Sequence, residues 1–197
     1  MVFHCLKACL VSALLLLTGC ASQWQAPQPA RLWQHLQNLQ SWSLKGQVAI
    51  HTTTQGSSFS VIWQQLPQQY TLNFFGPLGL GHALLQQLNQ QEVALYVGNK
   101  RYTAASPDVL LQQQLGWPLP VTNLYYWIRG IPAPQWPSQI VWDENHLLIQ
   151  TLSQQGWIIQ YLHYRTINNL NLPDKISLQH DRLQVKIIIR QWDFPAA

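Results

Sequence analysis

The chain has 197 residues, of which 47% are hydrophobic and only 9% are Asp, Glu, Lys or Arg, with a formal net charge of +4. That length allows one domain with a real core. Lys and Arg are scattered and form no stripe, which excludes a nucleic-acid binder, and three cysteines are too few for a disulfide framework.

The chain begins with a basic start at Lys7 and an apolar run from Ala8 to Leu17. This run is shorter than the roughly 20 residues a bilayer-spanning helix needs. It has the length of a signal-peptide h-region. Leu17-Thr18-Gly19-Cys20 follows and resembles the bacterial lipobox, in which the Cys thiol is acylated and the peptide is cut just before it. An ordinary secretory signal cut near Ala21 is the alternative. Residues 1–19 are thus expected to be a removed signal peptide, with Cys20 as the lipidated terminus. Loss of Lys7 takes the side-chain charge from +4 to +3. Cys5 and Cys9 leave as well, so no disulfide can form and the fold must stand on its hydrophobic core. One acyl chain anchors only marginally, but lipoproteins with such a box carry several. Ala21 stands where an Asp commonly signals inner-membrane retention, which implies an outer-membrane location facing the periplasm.

Residues 20–29 are polar and hold Pro27 and Pro29, a composition that suits a tether. Leu32, Leu36 and Leu39, with Trp33, recur at helical spacing and predict a helix over 30–41. The period then changes to two. Trp42, Leu44, Gly46, Val48 and Ile50 share one face of a strand. Phe59, Val61 and Trp63 make a second strand, and Tyr70, Leu72 and Phe74 a third. Turns this short favour antiparallel hairpins. Further strands are expected at 82–88, 92–97 and 100–104, the last two joined at Gly98-Asn99. Ser106-Pro107 predicts a short helix capped by Ser106 and stopped by Gly116. Thr122 is expected to cap another, ended by Gly130. Strands return from Val141, at 146–152, 157–164, 175–179 and 183–190. The sum is one domain over 30–197, mainly β within the α+β class. It is an incomplete antiparallel barrel of roughly ten strands, covered by short helices.

Nothing points to catalysis or to a cofactor. No two His sit at helical ligand spacing and no Cys is free to join them, so no metal site is expected. The Gly-x-Ser-x-Gly elbow is absent. The unusual segment is Phe74-Phe75-Gly76-Pro77-Leu78-Gly79-Leu80-Gly81. Its glycines and proline make a turn, yet Leu78 and Leu80 lie inside it. Either these leucines fold back onto the core, or they form an exposed tip that enters a membrane or an apolar ligand.

Several segments together resemble the LolB family of outer-membrane lipoprotein receptors. They are the lipobox, 42–50, Gly76-Pro77-Leu78-Gly79, Gly116-Trp117-Pro118-Leu119-Pro120-Val121, Trp127-Ile128-Arg129-Gly130-Ile131-Pro132, 155–161, Leu172-Pro173 and 186–192. Their order spans nearly the whole mature chain. The resemblance implies an incomplete barrel enclosing an apolar cavity for lipoprotein acyl chains. It also implies that lipoproteins arrive from the periplasmic carrier LolA and are placed in the outer membrane, among its phospholipids. Leu78 matches the family's membrane-inserting loop residue, and Leu80 adds a second apolar side chain there. The regular apolar faces nominate Val48, Ile50, Phe59, Val61, Trp63, Leu72, Phe74, Leu95, Val97, Ile187 and Ile189 as cavity lining, with dry core as the alternative for each. A monomer is expected. The competing functions are an assembly lipoprotein that docks a protein on its concave sheet, and a periplasmic lipid hydrolase.

Overall fold

A computed structural model describes residues 28–77 and 81–195. The expected signal peptide, Cys20, most of the tether, and the loop leucines Leu78 and Leu80 lie outside the described residues. Helix α1 (Gln28–Asn38) leads into six strands: β1 (Trp42–His51), β2 (Gly56–Gln65), β3 (Tyr70–Phe75), β4 (His82–Gln87), β5 (Val93–Val97) and β6 (Lys100–Ala104). Helix α2 (Pro107–Leu110) runs on into a π-helical turn over Leu111–Leu115, and α3 (Val121–Trp127) follows. Five strands complete the chain: β7 (Gln139–Trp142), β8 (Ile149–Gln154), β9 (Trp157–Ile167), β10 (Leu170–His180) and β11 (Leu183–Asp193).

The strands form one antiparallel sheet in the order β6-β5-β4-β3-β2-β1-β11-β10-β9-β8-β7. Its two edges, β6 and β7, do not pair, so the barrel is incomplete. The first and last long strands meet at the centre, where Val48 faces Ile187 and Ile50 faces Val185. Alternation decides which side of the sheet becomes core. In β1, Trp42, Leu44, Gly46, Val48 and Ile50 are buried, and in β11 Leu183, Val185, Ile187 and Ile189 are buried while Ile188 between them is exposed. The pleat sends successive side chains to opposite faces, so the period-two pattern translates directly into an inside and an outside.

Among the described residues register shifts bend this sheet in three strand pairs, one of them at its edge between Val141 and Trp142 on β7. The β1–β11 register shifts between Lys45 and Gly46. A Cβ on Gly46 would lie 2.6 Å from the Ile188 carbonyl oxygen, so only glycine permits so close an approach of the two backbones. The β9–β10 register shifts on both sides of Lys175, next to Pro173, whose missing N–H a bulge tolerates. Bulges add local twist and curvature, which a sheet this wide needs in order to wrap a core.

The expected incomplete antiparallel sheet of roughly ten strands is present, with eleven among the described residues; the short edge strand β7 precedes the strand expected at 146–152. The structure corrects several sequence expectations. The first helix spans 28–38, not 30–41. It begins inside the segment read as tether and stops early, and β1 starts at Trp42. The strand expected at 146–152 is displaced to Ile149–Gln154. His146 has φ 55° in a turn held by Asp143, whose Oδ1 accepts the Leu147 and Leu148 N–H groups at 2.8 and 2.9 Å. Ser106 makes no side-chain capping bond. Thr122 is not the cap of α3, which starts at Val121. Asp108 takes that role from thirteen residues away, its Oδ1 accepting the Val121 N–H at 2.8 Å.

Candidate apolar cavity and its mouths

The concave face of the sheet is covered by the segment from α2 to α3. Between them lies a narrow, largely enclosed cavity of about 40 Å³. The sheet supplies Val48, Phe59, Val61, Trp63, Leu72, Phe74 and Ile187, and the helical cover supplies Leu111, Leu119, Val121, Leu124 and Ile128. Every side chain in its wall is apolar. That follows from two local rules. On each strand the inward positions are apolar by alternation, and along α3 and its C-cap Val121, Leu124 and Ile128 recur at the three- and four-residue spacing of one helix face.

Seven of the eleven nominated residues therefore meet around one cavity. Ile50, Leu95 and Ile189 do not; they are fully buried elsewhere in the core. Val97 is half-buried and lines an open groove of about 700 Å³ together with Phe59, Phe74, Ala83, Tyr96, Leu115 and Trp117. The groove runs to Gly76, Pro77 and Gly81, the base of the loop that holds Leu78 and Leu80. That base is closed by a hydrogen bond from Gly76 N–H to the Gly81 carbonyl at 3.0 Å. A second open pocket, of about 670 Å³, lies on the other side of the cover and includes Leu119, Asp108, His180, Asp181 and Arg182.

The cover is fixed by polar contacts that the sequence reading missed. Arg129 is completely buried. Its Nη1 donates to the carbonyls of Leu36 at 2.6 Å and Leu39 at 3.0 Å, and its Nε donates to Tyr125 at 2.9 Å. Its guanidinium carbon lies 4.0 Å from the centre of the Tyr125 ring. Burial pushes this guanidinium below its ordinary pKa, while Tyr125 and Tyr126 act in the opposite direction. Arg129 thereby ties the end of α1 to the end of α3. Gln154 does a similar task nearby. Its Oε1 accepts from Trp127 Nε1 at 2.8 Å and from Ala133 N–H at 2.9 Å, and its Nε2 donates to the carbonyls of Ala133 and Trp136. Tyr161 donates its hydroxyl to the Trp127 carbonyl at 2.9 Å, and full burial raises its pKa well above normal. A lone Arg between Ile128 and Gly130 in an otherwise apolar stretch was the available signal, since a buried cation must find acceptors.

Asp108 is the one acid in the cover. Burial raises its carboxyl pKa, and hydrogen bonds from the Val121 and Thr122 backbone partly offset that rise. On the convex face Asp174, also buried, accepts from His163 at 2.6 Å and Arg165 at 3.0 Å. Among the described residues no group of three or more His, Cys, Asp or Glu comes together as a metal site would require.

A family model described as outer membrane lipoprotein LolB matches residues 40–192. The outer-membrane lipoprotein LolB of Chromohalobacter salexigens is 37% identical over 184 residues, covering 90% of this chain and 85% of the relative. That of Pseudomonas savastanoi pv. phaseolicola is 39% identical over 191 residues, covering 92% of each. Among solved structures, a LolA superfamily protein from Nitrosomonas europaea superposes with a TM-score of 0.57 at 5% identity, over 87% of this chain and 96% of that one. A putative outer membrane lipoprotein-sorting protein domain from Vibrio parahaemolyticus gives 0.57 at 6% identity, over 88% and 94%. These two likenesses concern the fold alone. The sequence match runs from just before β1 to the end of β11 and takes in the sheet, the cavity and its cover: the chain belongs to the LolB family of outer-membrane lipoproteins, which serves lipoprotein localisation.

Proposed function

We propose that this protein accepts lipoproteins from the periplasmic carrier LolA and places them in the inner leaflet of the outer membrane. In this reading it acts as a monomer, held by lipid on Cys20 and a tether over 20–29. The observation that carries the reading is the wholly apolar wall of the cavity between sheet and cover. Acyl chains expose several hundred Å² of apolar surface in water, worth about 25 cal/mol per Å², and such a wall shelters them without demanding a polar partner. A cavity of about 40 Å³ holds only a few methylenes, since one water needs ~10–15 Å³ measured in this way. Acceptance then requires the cover bearing Leu111, Leu119 and Leu124 to move off the sheet. The same closure favours release, because sheet and cover regain their mutual contacts when the chains depart. A concave face already filled by these leucines leaves a folded protein partner nowhere to dock. Leu78 and Leu80 then supply an apolar tip that meets the phospholipid.

The test reconstitutes the full lipidated chain into liposomes and adds LolA loaded with a radiolabelled lipoprotein. Label should pass from the carrier to the protein and then into the bilayer, and empty liposomes should gain far less. Equal uptake by both kinds of liposome would overturn the reading.

A further inference from the structure

Among the described residues, three open pockets lie beside the cover. The groove ending at Gly76, Pro77 and Gly81 shares both Phe59 and Phe74 with the cavity wall. A smaller pocket of about 480 Å³ shares Trp63 and Val121, but Gln65, Gln87, Gln90 and Thr122 stand in its wall, and an acyl chain there would strip water from their amides and hydroxyl. The pocket beside Asp108 shares Leu119 alone. The groove has no Asp, Glu, Lys or Arg in its wall, whereas this last pocket contains Asp108, Asp181 and Arg182. An acyl chain moving past those groups would strip water from charges, which is costly.

Trp117 stands at the junction. Its ring stacks on Phe59 with centroids 4.2 Å apart and an interplanar angle of 11°. It meets Phe74 edge-on at 5.5 Å and 77°. These are the two side chains that the groove and the cavity have in common, so the indole covers the passage between them. Its neighbours in sequence are Gly116, at φ +69° with open space where a Cβ would be, and Pro118. Trp117 is thus carried on a short non-helical link and not on a packed helix.

The groove, at about 700 Å³, is large enough for one long acyl chain, which at roughly 10–15 Å³ per methylene, taken as similar to one water measured in the same way, needs on the order of 200 Å³. The small cavity is not. We propose that acyl chains enter and leave the barrel one at a time through this groove, and that Trp117 is the side chain that seals it. The inference rests on the acyl-binding function above and adds the route and its gate. It places the exit at the base of the loop between β3 and β4, on the side of the molecule where delivery is expected.

The experiment uses the full lipidated chain in detergent micelles and two probes. Saturable binding of the fluorescent fatty acid parinaric acid tests acyl binding itself, and a protein that shows none fails both the function and the route. With binding established, the photoreactive residue p-benzoylphenylalanine is introduced at Tyr96 in the groove, or at Val109 in the pocket beside Asp108, and irradiated with radiolabelled palmitate. Labelling at Tyr96 and not at Val109 is expected. Labelling at Val109 alone, in a protein that binds parinaric acid, overturns the route and leaves the function standing. Stopped-flow release of parinaric acid supplies the second readout. Trp117→Ala removes two aromatic pairs and should release about tenfold faster, while Trp117→Phe should stay near the unsubstituted rate. Unchanged release from a folded Trp117→Ala protein overturns the gate. If that variant does not fold, Trp117→Leu, which keeps an apolar side chain but loses both aromatic pairs, decides the gate, and release at the unsubstituted rate overturns it.

Discussion

Arg129→Met offers the sharpest test of how the cover is held. Methionine keeps the length and apolar stem of the side chain but removes the guanidinium. Three hydrogen bonds vanish, to the carbonyls of Leu36, Leu39 and Tyr125, together with the stacking on Tyr125. Bonds from a charged donor are worth roughly 1.5–3 kcal/mol each, and a desolvated cation–π contact up to about 2 kcal/mol. Freeing the charge from burial returns several kcal/mol, and Nη2 has no hydrogen-bond partner among the described residues, so that part of the guanidinium costs stability now. The net loss should be about 3 kcal/mol, the lower end of what removing one partner from a buried ionic contact costs. In a domain of this size each kcal/mol moves the midpoint by roughly 2–4 °C, so Tm should fall by about 10 °C in calorimetry. Hydrogen exchange should quicken at the α1 end more than in the central strands β1 and β11. A midpoint within 2 °C of the parent (roughly 1 kcal/mol or less), or exchange that rises evenly over the sheet, would refute the clamp.

Val61→Glu puts an unpaired carboxylate into the apolar cavity wall, whereas Gln64→Glu lies on the exposed side of the same strand. Parinaric acid affinity should fall more than tenfold for the first (about 1.4 kcal/mol) and barely change for the second; equal effects in two folded proteins would show that binding occurs elsewhere. Leu78→Glu should leave the melting temperature nearly unchanged, as surface substitutions do within about 0.5 kcal/mol. It should let lipoprotein pass from the carrier to the protein and stop it reaching liposomes, and normal delivery would return Leu78 to the core. Cys20→Ala should abolish incorporation of a clickable fatty acid, and undiminished label would end the lipobox reading. For Asp108 the folded pKa lies above the unfolded one. The folded state therefore binds the proton first, and its stability rises as pH falls through the raised value, levelling off below the ordinary carboxylate range. Asp108→Asn should lack that rise in melting temperature, and an identical pH profile in both proteins would exclude Asp108 as its source.

Alternation along a strand is a local property, and it was readable residue by residue. Each period-two run in β1, β2, β3 and β11 announced its own inward face, because the pleat allows no other arrangement. The hairpin turns were equally local: Gly98, Gly116 and Gly130 hold positive φ, as their positions at turns and helix ends required. Family membership was legible for a related reason, since the motifs that carry it sit at turns and close approaches where few residues fit. What the tertiary structure alone decided involves partners far apart in the chain. Arg129 reaches Leu36 across 93 residues, and Asp108 replaces Thr122 as the cap of α3 because folding brings it to the Val121 N–H. The cavity follows the same logic. Ile50, Leu95 and Ile189 have the alternation of lining residues, yet whether an inward side chain meets a neighbour or a void depends on how far the bulges curve the sheet and where the cover rests on it. No local pattern encodes that distance, which is set by the packing of Leu111, Leu119 and Leu124 against strands more than thirty residues away.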